Sequence, residues 1–290
     1  MDGDRIAESI RQRAKAQGFD VLEAMRRYAM ERLVVRLRAA DGEGRVVLKG
    51  GLLWWLTESL RAHARPTTDV DIHLHEPEEH AAVQELLSAA GSVAMDDGCR
   101  FEFHSPRTLE HTGEHEGLRV KVRAWIGSKY VDFHVDAGFG GTKPEGIEPT
   151  AFESMHPKVP GGSMLMTPIE YVAAEKLHAI VKLGLKNTRL KDYNDLMVIS
   201  ELDVDPVRLA EAVAVTFEDR ATAIPEGIPE GLTPAYAERF ARDWKGWITS
   251  SRRTGKVPDS LAEVVSRVAS FAETTFSCAA CLSPRQAGPR

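Results

Sequence analysis

Cysteine is scarce. Cys99, Cys278 and Cys281 are the only three in 290 residues, too few for a disulfide framework. Cys278 and Cys281 stand as CAAC in a stretch expected to fray, with no second ligand pair, so the four ligands of a structural zinc site are not provided there. Long apolar runs are also missing, and none approaches the ~20 residues of a membrane span. The first residues, MDGDRIAESIRQRAK, lack the apolar segment of a secretory signal. The expectation is a cytoplasmic chain with no membrane partner. Positive charge is not in excess either: 37 Lys and Arg face 43 Asp and Glu, a formal net of −6. That excludes a chain basic all over and leaves room for a local basic surface. With 43% apolar and 28% charged residues, the composition is that of a globular protein rather than a disordered one. The length suits one large domain or two modest ones.

Two segments are locally basic. Residues 182–191, KLGLKNTRLK, hold Lys182, Lys186, Arg189 and Lys191 with no acid among them, and residues 1–40 carry nine Lys and Arg against six Asp and Glu. Such runs are usually solvated helix faces and are permissive for a polyanionic partner. No repeat or low-complexity tract is present. The pattern predicts two helices over residues 4–39 broken near AQGFD, the second with an apolar stripe of Leu22, Met25, Ala29, Leu33 and Leu37. A turn at Asp41–Gly44 leads to the strand RVVLKG, the helix LLWWLTESLRAH and the strand DVDIHL. Next come the helix EPEEHAAVQELLSAAG, with acids in its first turn, and the strand RFEFHS. LRVKVRAWI and KYVDFHVDAGF read as a hairpin closed at Gly127-Ser128. Beyond the Pro/Gly stretch HPKVPGGSMLM the pattern is helical. There Thr167 is expected as N-cap, with Pro168 first in the helix and Glu170 closing a capping box. The domains are expected as 1–155, mixed α/β with N-terminal helices, and 156–290, helical and carrying Lys176 and RLKDYNDL.

The chemistry concentrates in RPTTDVDIHL. Asp69, Asp71 and His73 alternate with Val70, Ile72 and Leu74, and side chains two apart on a strand share a face at ~6.5–7 Å spacing. Two adjacent carboxylates with nothing to neutralise them push one pKa up. A divalent cation such as Mg²⁺, which favours carboxylate oxygens, water and phosphate, removes that strain. A lone DxD is more often a solvated strand face, but here LKGG precedes it by one helix, and a Gly-Gly turn at a strand-to-helix junction exposes backbone N–H groups suited to phosphate. A third acid lies in YVDFHVDAGFG. Asp132, His134 and Asp136 share one face, so periodicity does not choose between the aspartates. Asp136 stands at the strand's end, just before Gly138 and Gly140.

The ordered set LKGGLLWWL, RPTTDVDIHL, VDAGFG, AAEKLHAIVKLG and RLKDYNDL resembles the AbiEii/AbiGii-type nucleotidyltransferase toxins. That group includes the mycobacterial MenT toxins and has the nucleotidyltransferase fold of the DNA polymerase beta superfamily. The resemblance runs from about residue 20 to about residue 200, and Gly-Gly stands where some relatives have Gly-Ser. It implies an α/β (α+β) fold, a mixed sheet flanked by helices, followed by a helical C-terminal domain. It further implies Mg²⁺, with Mn²⁺ as a substitute, held by Asp69, Asp71 and Asp136, which also serve as catalytic acids. Lys49, Gly50, Gly51, Arg65 and Thr68 are the implied nucleotide contacts of the first domain. Lys176 and Arg189 are those of the second, and Lys176 and Asp192 are catalytic. The implied partners are an NTP, the 3′ end of tRNA as acceptor and a cognate antitoxin, and the implied outcome is blocked translation and arrested growth.

Some of these residues can be weighed on their own. Lys176 falls within an apolar stripe of Ile169, Val172, Ala173, Ile180 and Leu183. A lysine there either snorkels to solvent or answers an anion close at hand; the resemblance offers the triphosphate. On the stripe alone, Met at this position keeps the packing and is expected to be neutral or mildly stabilising. Arg189, Asp192 and Asp195 lie at i, i+3 and i+6, the spacing of a surface ion-pair ladder, with Asp195 free to be merely structural. Tyr236, Phe240, Trp244 and Trp247 read as core, and His73, His134 and His178 as packing or supporting residues. A cationic track for RNA is expected along Lys182, Lys186, Arg189 and Lys191, or else along Arg26, Arg27 and Arg36. The other acceptors are a protein hydroxyl or a small molecule. The rival class is a non-catalytic nucleotide-binding regulator, which has little need of three converging carboxylates.

Overall fold

The computed structural model describes residues 2–75, 80–109, 117–144, 147–251 and 256–282. The acids Glu76, Glu78 and Glu79, expected in the first turn of a helix, lie outside them. The chain divides into two compact units, Met1–Thr167 and Pro168–Arg290.

The first unit opens with α1 (Gly3–Ala16) and α2 (Val21–Ala40), whose N-caps Asp2 and Asp20 accept backbone N–H bonds from Asp4 and Glu23. Along α2, Met25, Ala29, Leu33 and Leu37 are buried, but Leu22 in the first turn is exposed and leaves the expected stripe. Arg36 of the same helix is buried as a two-pronged pair with Asp97 (2.5 and 2.9 Å). That removes it from the candidate RNA track. Buried Asp41 accepts the backbone N–H groups of Arg45 and Val46, closing the turn into β1 (Val46–Lys49). The expected long helix after the Gly-Gly turn is split: α3 (Gly50–Leu56) ends where Thr57 turns extended, and a 3₁₀ segment follows over Glu58–His63.

Strands β2 (Asp69–Leu74), β3 (Cys99–Phe103), β4 (Arg107–Leu109), β5 (Gly117–Ile126) and β6 (Lys129–Phe139) join β1 in one mixed sheet, with helix α4 (His80–Ser92) between β2 and β3. Its order is β1-β2-β6-β5-β3, with β4 pairing β5. Among the described residues β2 and β6 run parallel in this sheet and the other pairings are antiparallel. The parallel pair lies at the centre, so the two strands that carry the aspartates are neighbours. One sheet face is core, built from Val70, Ile72, Val120, Val122, Val131, Phe133 and Val135, all nearly inaccessible. The other face is polar, and side-chain alternation puts Asp69, Asp71, His134, Asp136 and Arg119 on it together.

The Pro/Gly stretch expected to open the second domain belongs to the first unit. Within it β8 (Gly162–Leu165) pairs with β7 (Pro149–Phe152), and the Thr167 N–H donates to Leu48 O at 2.9 Å. Thr167 is therefore tied by its backbone to β1, and Pro168 rather than Thr167 stands at the N-cap. α5 (Ile169–Leu183) starts with Pro168 at its N-cap and no side-chain cap bond, so the expected capping box is not formed.

The second unit is helical: α5, α6 (Leu190–Ile199), α7 (Pro206–Asp219), α8 (Pro234–Ser250) and α9 (Leu261–Leu282). Its core holds Leu177, Ile180, Tyr193, Val213, Phe217, Val264 and Phe276. Tyr236, Phe240 and Trp244 of α8 are buried in it as expected, and half-buried Trp247 stacks on Trp244 at 5.0 Å between centroids. Cys278 and Cys281 are not in a frayed tail; both are exposed on the last turns of α9.

Candidate active site

The site begins with register. In the parallel pairing of β2 with β6, Asp71 lies opposite Asp136 and Asp69 opposite His134. Asp136 thus shares the face and level of the DxD pair. Asp132, two residues before His134, lies beyond the first β2 pair and belongs to Arg123 (2.9 and 3.0 Å) and Lys121 (3.1 Å). Those partners, the Arg123 hydrogen bonds foremost, hold its carboxyl down at about 2. The structure brings together the first three aspartates and leaves the fourth engaged elsewhere.

The Gly-Gly turn closes against this group. Gly50 has φ +71°, a backbone region that L side chains rarely adopt. A Cβ there would come within 1.8 Å of Asp71 Oδ2. A Cβ on Gly51 would lie 2.8 Å from the Thr67 hydroxyl, so the space a serine would use is already filled by another hydroxyl side chain. Lys49 pairs with Asp71 in register, and its Nζ lies 3.2 Å from His73 Nδ1; His73 Nε2 is 2.6 Å from Gly140 O. Thr68 Oγ1 donates to Asp69 Oδ2 at 3.3 Å. Arg65 uses its carbonyl to accept from Trp55 Nε1 at 2.9 Å, which ties the start of β2's lead-in to α3.

Two side chains approach the carboxylates from β5 and β6, the Arg119 guanidinium and the His134 imidazole. Arg119 grips Asp136 with both prongs (Nε–Oδ1 2.7 Å, Nη2–Oδ2 2.6 Å), and its Nη2 is 3.8 Å from Asp69 Oδ1. Hydrogen bonding to Asp136 raises the Arg119 pKa further, against a smaller effect of burial. His134 Nδ1 lies 3.4 Å from Asp69 Oδ1. Asp69 and Asp71 fit a hard divalent cation by donor type, and side-chain-free Gly50 leaves Asp71 its room. Among the described residues no three His, Cys, Asp or Glu side chains are already gathered at metal-holding distances. Both oxygens of Asp136 face Arg119.

In the second unit, Lys176 donates to Asp192 Oδ1 and lies equally close to Asp195 Oδ2, both at 2.8 Å; Arg189 Nε donates to Asp192 Oδ2 at 2.6 Å. Both carboxylates are buried. Burial works to raise the Asp192 pKa, and the charges of Lys176 and Arg189 overcome it and leave it below the ordinary 3.8. The anionic partner that the apolar stripe around Lys176 calls for is therefore present in its own unit, and Asp195 is as much a part of the arrangement as Asp192. Lys182, Lys186, Arg189 and Lys191 are all exposed. His178 is a packing residue: its Nε2 meets Thr222 Oγ1 at 2.9 Å and its Nδ1 faces Arg220 at 3.1 Å.

The profile of the family described as "Nucleotidyl transferase AbiEii toxin, Type IV TA system" matches residues 32–264. The chain belongs to the AbiEii family. It is a nucleotidyltransferase of the type IV toxin–antitoxin class, and membership implies an NTP substrate and an antitoxin. Two solved Helicobacter pylori structures are similar to this AbiEii protein, each at 15% identity. One, a nucleotidyltransferase candidate, has a TM-score of 0.45 and covers 90% of this chain and 98% of its own. The other, JHP933, has a TM-score of 0.44 and covers 87% and 91%. No curated protein matches the chain. Among the described residues no helix is long and apolar enough to cross a membrane.

The sequence of this AbiEii chain, read alone, does not single out two residues that the structure places against the candidate site, Arg119 and Thr67. Arg119 was within reach: seven residues back from Ile126 and seven on from Lys129, the hairpin-closing pair, stand Arg119 and Asp136. Thr67 had no local signal, because its role depends on where Gly51 lies.

Proposed function

We propose that this AbiEii-family enzyme moves a nucleoside monophosphate from an NTP to the 3′ end of tRNA in the cytoplasm, with Mg²⁺ or Mn²⁺, and so blocks translation until an antitoxin restrains it. The observation that carries the reading is Asp69, Asp71 and Asp136 side by side on the polar face of two central strands. Asp69 and Asp71, with Asp136, would hold the divalent cation, which supplies charge stabilisation to the attacking and leaving oxygens of an in-line displacement. In the reaction the acceptor oxygen bonds to the α-phosphorus, the bond to the β-phosphate oxygen breaks, and pyrophosphate leaves. Asp136 is the proposed recipient of the hydroxyl proton. Gly50 and Gly51 would offer backbone N–H groups to phosphate at a turn free of side chains; α3 has only seven residues, so close approach matters here more than a helix dipole. Lys49, Arg65 and Thr68 are the proposed neighbours of the nucleotide. From the helical unit, Lys176 and Arg189 are proposed nucleotide contacts, with Asp192 holding both cations in place.

The test is incubation with each labelled NTP, Mg²⁺ and total RNA, for the wild type and for Asp71→Asn. Label in tRNA-sized RNA with the wild type alone supports the proposal. Label in protein or in a small molecule moves the acceptor, and an NTP bound but never consumed points to a regulator.

A further inference from the structure

We infer that Arg119 is a built-in competitor for the divalent cation, a guanidinium that holds the third carboxylate until a metal displaces it. The inference rests on the proposed metal role of Asp69, Asp71 and Asp136. Three observations carry it. Arg119 engages both oxygens of Asp136 at 2.6 and 2.7 Å, so the planar fork already occupies the carboxylate that is proposed to complete the metal site. The same Nη2 reaches to 3.8 Å from Asp69 Oδ1, so one guanidinium spans two of the three carboxylates. The other cations of β5, Lys121 and Arg123, are turned to Asp132, which leaves Arg119 as the β5 cation committed to this trio.

The consequence follows from charge. A unit positive charge fixed against two of the ligands repels a divalent ion a few ångströms away, and at a half-exposed site that repulsion weakens binding about tenfold. The side chain is 37% exposed, so it has solvent to swing into once Asp136 changes partner. An arginine that only held Asp136 in the right pose would act with the opposite sign, since its removal would loosen a ligand and weaken binding. The sign of the effect therefore separates a competitor from a positioning residue.

The experiment measures Mn²⁺ affinity of the full chain by electron paramagnetic resonance of the free ion, with unfolding temperature followed with and without Mn²⁺. Arg119→Met should bind Mn²⁺ about tenfold tighter than the wild type. Without added divalent ion it should melt lower, because three carboxylates then face one another, and Mn²⁺ should raise its melting temperature by more. Arg119→Lys, which keeps the charge, should stay near the wild type, and Arg119→Gln serves as the neutral variant should Met at this position fail to fold. Equal or weaker Mn²⁺ binding in the neutral variants overturns the inference while leaving the metal site standing, provided that Asp71→Asn loses binding. If Asp71→Asn binds like the wild type, or no form binds, the metal reading itself fails and the inference with it.

Discussion

Replacing Lys176 by Met should destabilise the helical unit by about 3–5 kcal/mol, the usual loss when one partner of a buried ion pair is removed. The periodicity of α5 alone argues for a near-neutral change, because Met fills the volume of the lysine stem. The structure reverses that expectation. Lys176 is the shared counter-ion of Asp192 and Asp195, whose side chains are 0% and 3% exposed. Without it Asp192 still has Arg189, itself half exposed, and Asp195 still has the Asn194 amide at 2.8 Å among its neighbours, but both lose their shared lysine. Apolar packing by Met recovers less than about 1 kcal/mol. A loss of this size is a large share of the ~5–15 kcal/mol that holds a domain folded.

The assay is urea unfolding of both forms followed by tryptophan fluorescence, compared through the midpoint at constant slope. Its pH dependence provides a second check. In the wild type the Asp192 pKa lies below the ordinary 3.8, so its contribution is complete above that value and is lost as pH falls through the folded pKa. In the variant, burial of Asp192 is opposed by Arg189 without Lys176, and the Asp192 carboxyl protonates more readily than in the wild type. The deficit should therefore shrink as pH falls towards 3.8. A deficit under 1 kcal/mol, or one that widens on acidification, refutes the reasoning. Adding Asp192→Asn and Asp195→Asn to Lys176→Met should restore much of the stability, because no buried charge then lacks its partner.

Gly50→Ala should lower stability by about 1–2 kcal/mol through its left-handed backbone, and should cut nucleotidyl transfer more than tenfold, because the new Cβ takes the place of Asp71 Oδ2; wild-type turnover would show that the turn and Asp71 are not coupled. Burial, helped by Arg220, lowers the His178 pKa from 6.5 to about 4, so the folded state excludes a proton that the unfolded state takes up. Its contribution is complete above pH 6.5 and is lost as pH falls to about 4, and a His178→Phe variant should show a flatter loss of unfolding free energy over that window. Exposed Lys182 and Lys186 changed together to Gln should reduce the slope of log tRNA affinity against log salt by about one to two; equal slopes would move the RNA to another surface, but not to buried Arg36.

The aspartate site was legible from the chain because it is written in period two. Asp69 and Asp71 share a face in any strand, and a tight turn at Gly127-Ser128 already fixes which residues of β5 meet those of β6. The choice between Asp132 and Asp136 was not legible, since both obey the same alternation. It needed the β2–β6 register, and a parallel pairing has no connecting turn from which to count. Short β4, β7 and β8 escaped for a different reason: three- and four-residue strands carry too little alternation to stand out from loop.

Lys176 shows where local pattern stops being informative. Its position among apolar residues of α5 demands an anion, and the helix says nothing of which one. Two answers are open to such a lysine, a carboxylate from the next helix or a phosphate from a substrate, and they are not exclusive. On the proposed phosphate contact, a lysine already held by Asp192 and Asp195 would lose less freedom than an unpaired one. The same two carboxylates, however, dilute its charge. If Lys176 meets phosphate, its pairing therefore trades strength of attraction for precision of aim, and removing Asp195 alone should tighten nucleotide binding as it loosens the fold. That opposite movement of affinity and stability, measured by nucleotide titration and urea unfolding on one Asp195→Asn variant, is what a purely structural ion pair would not produce.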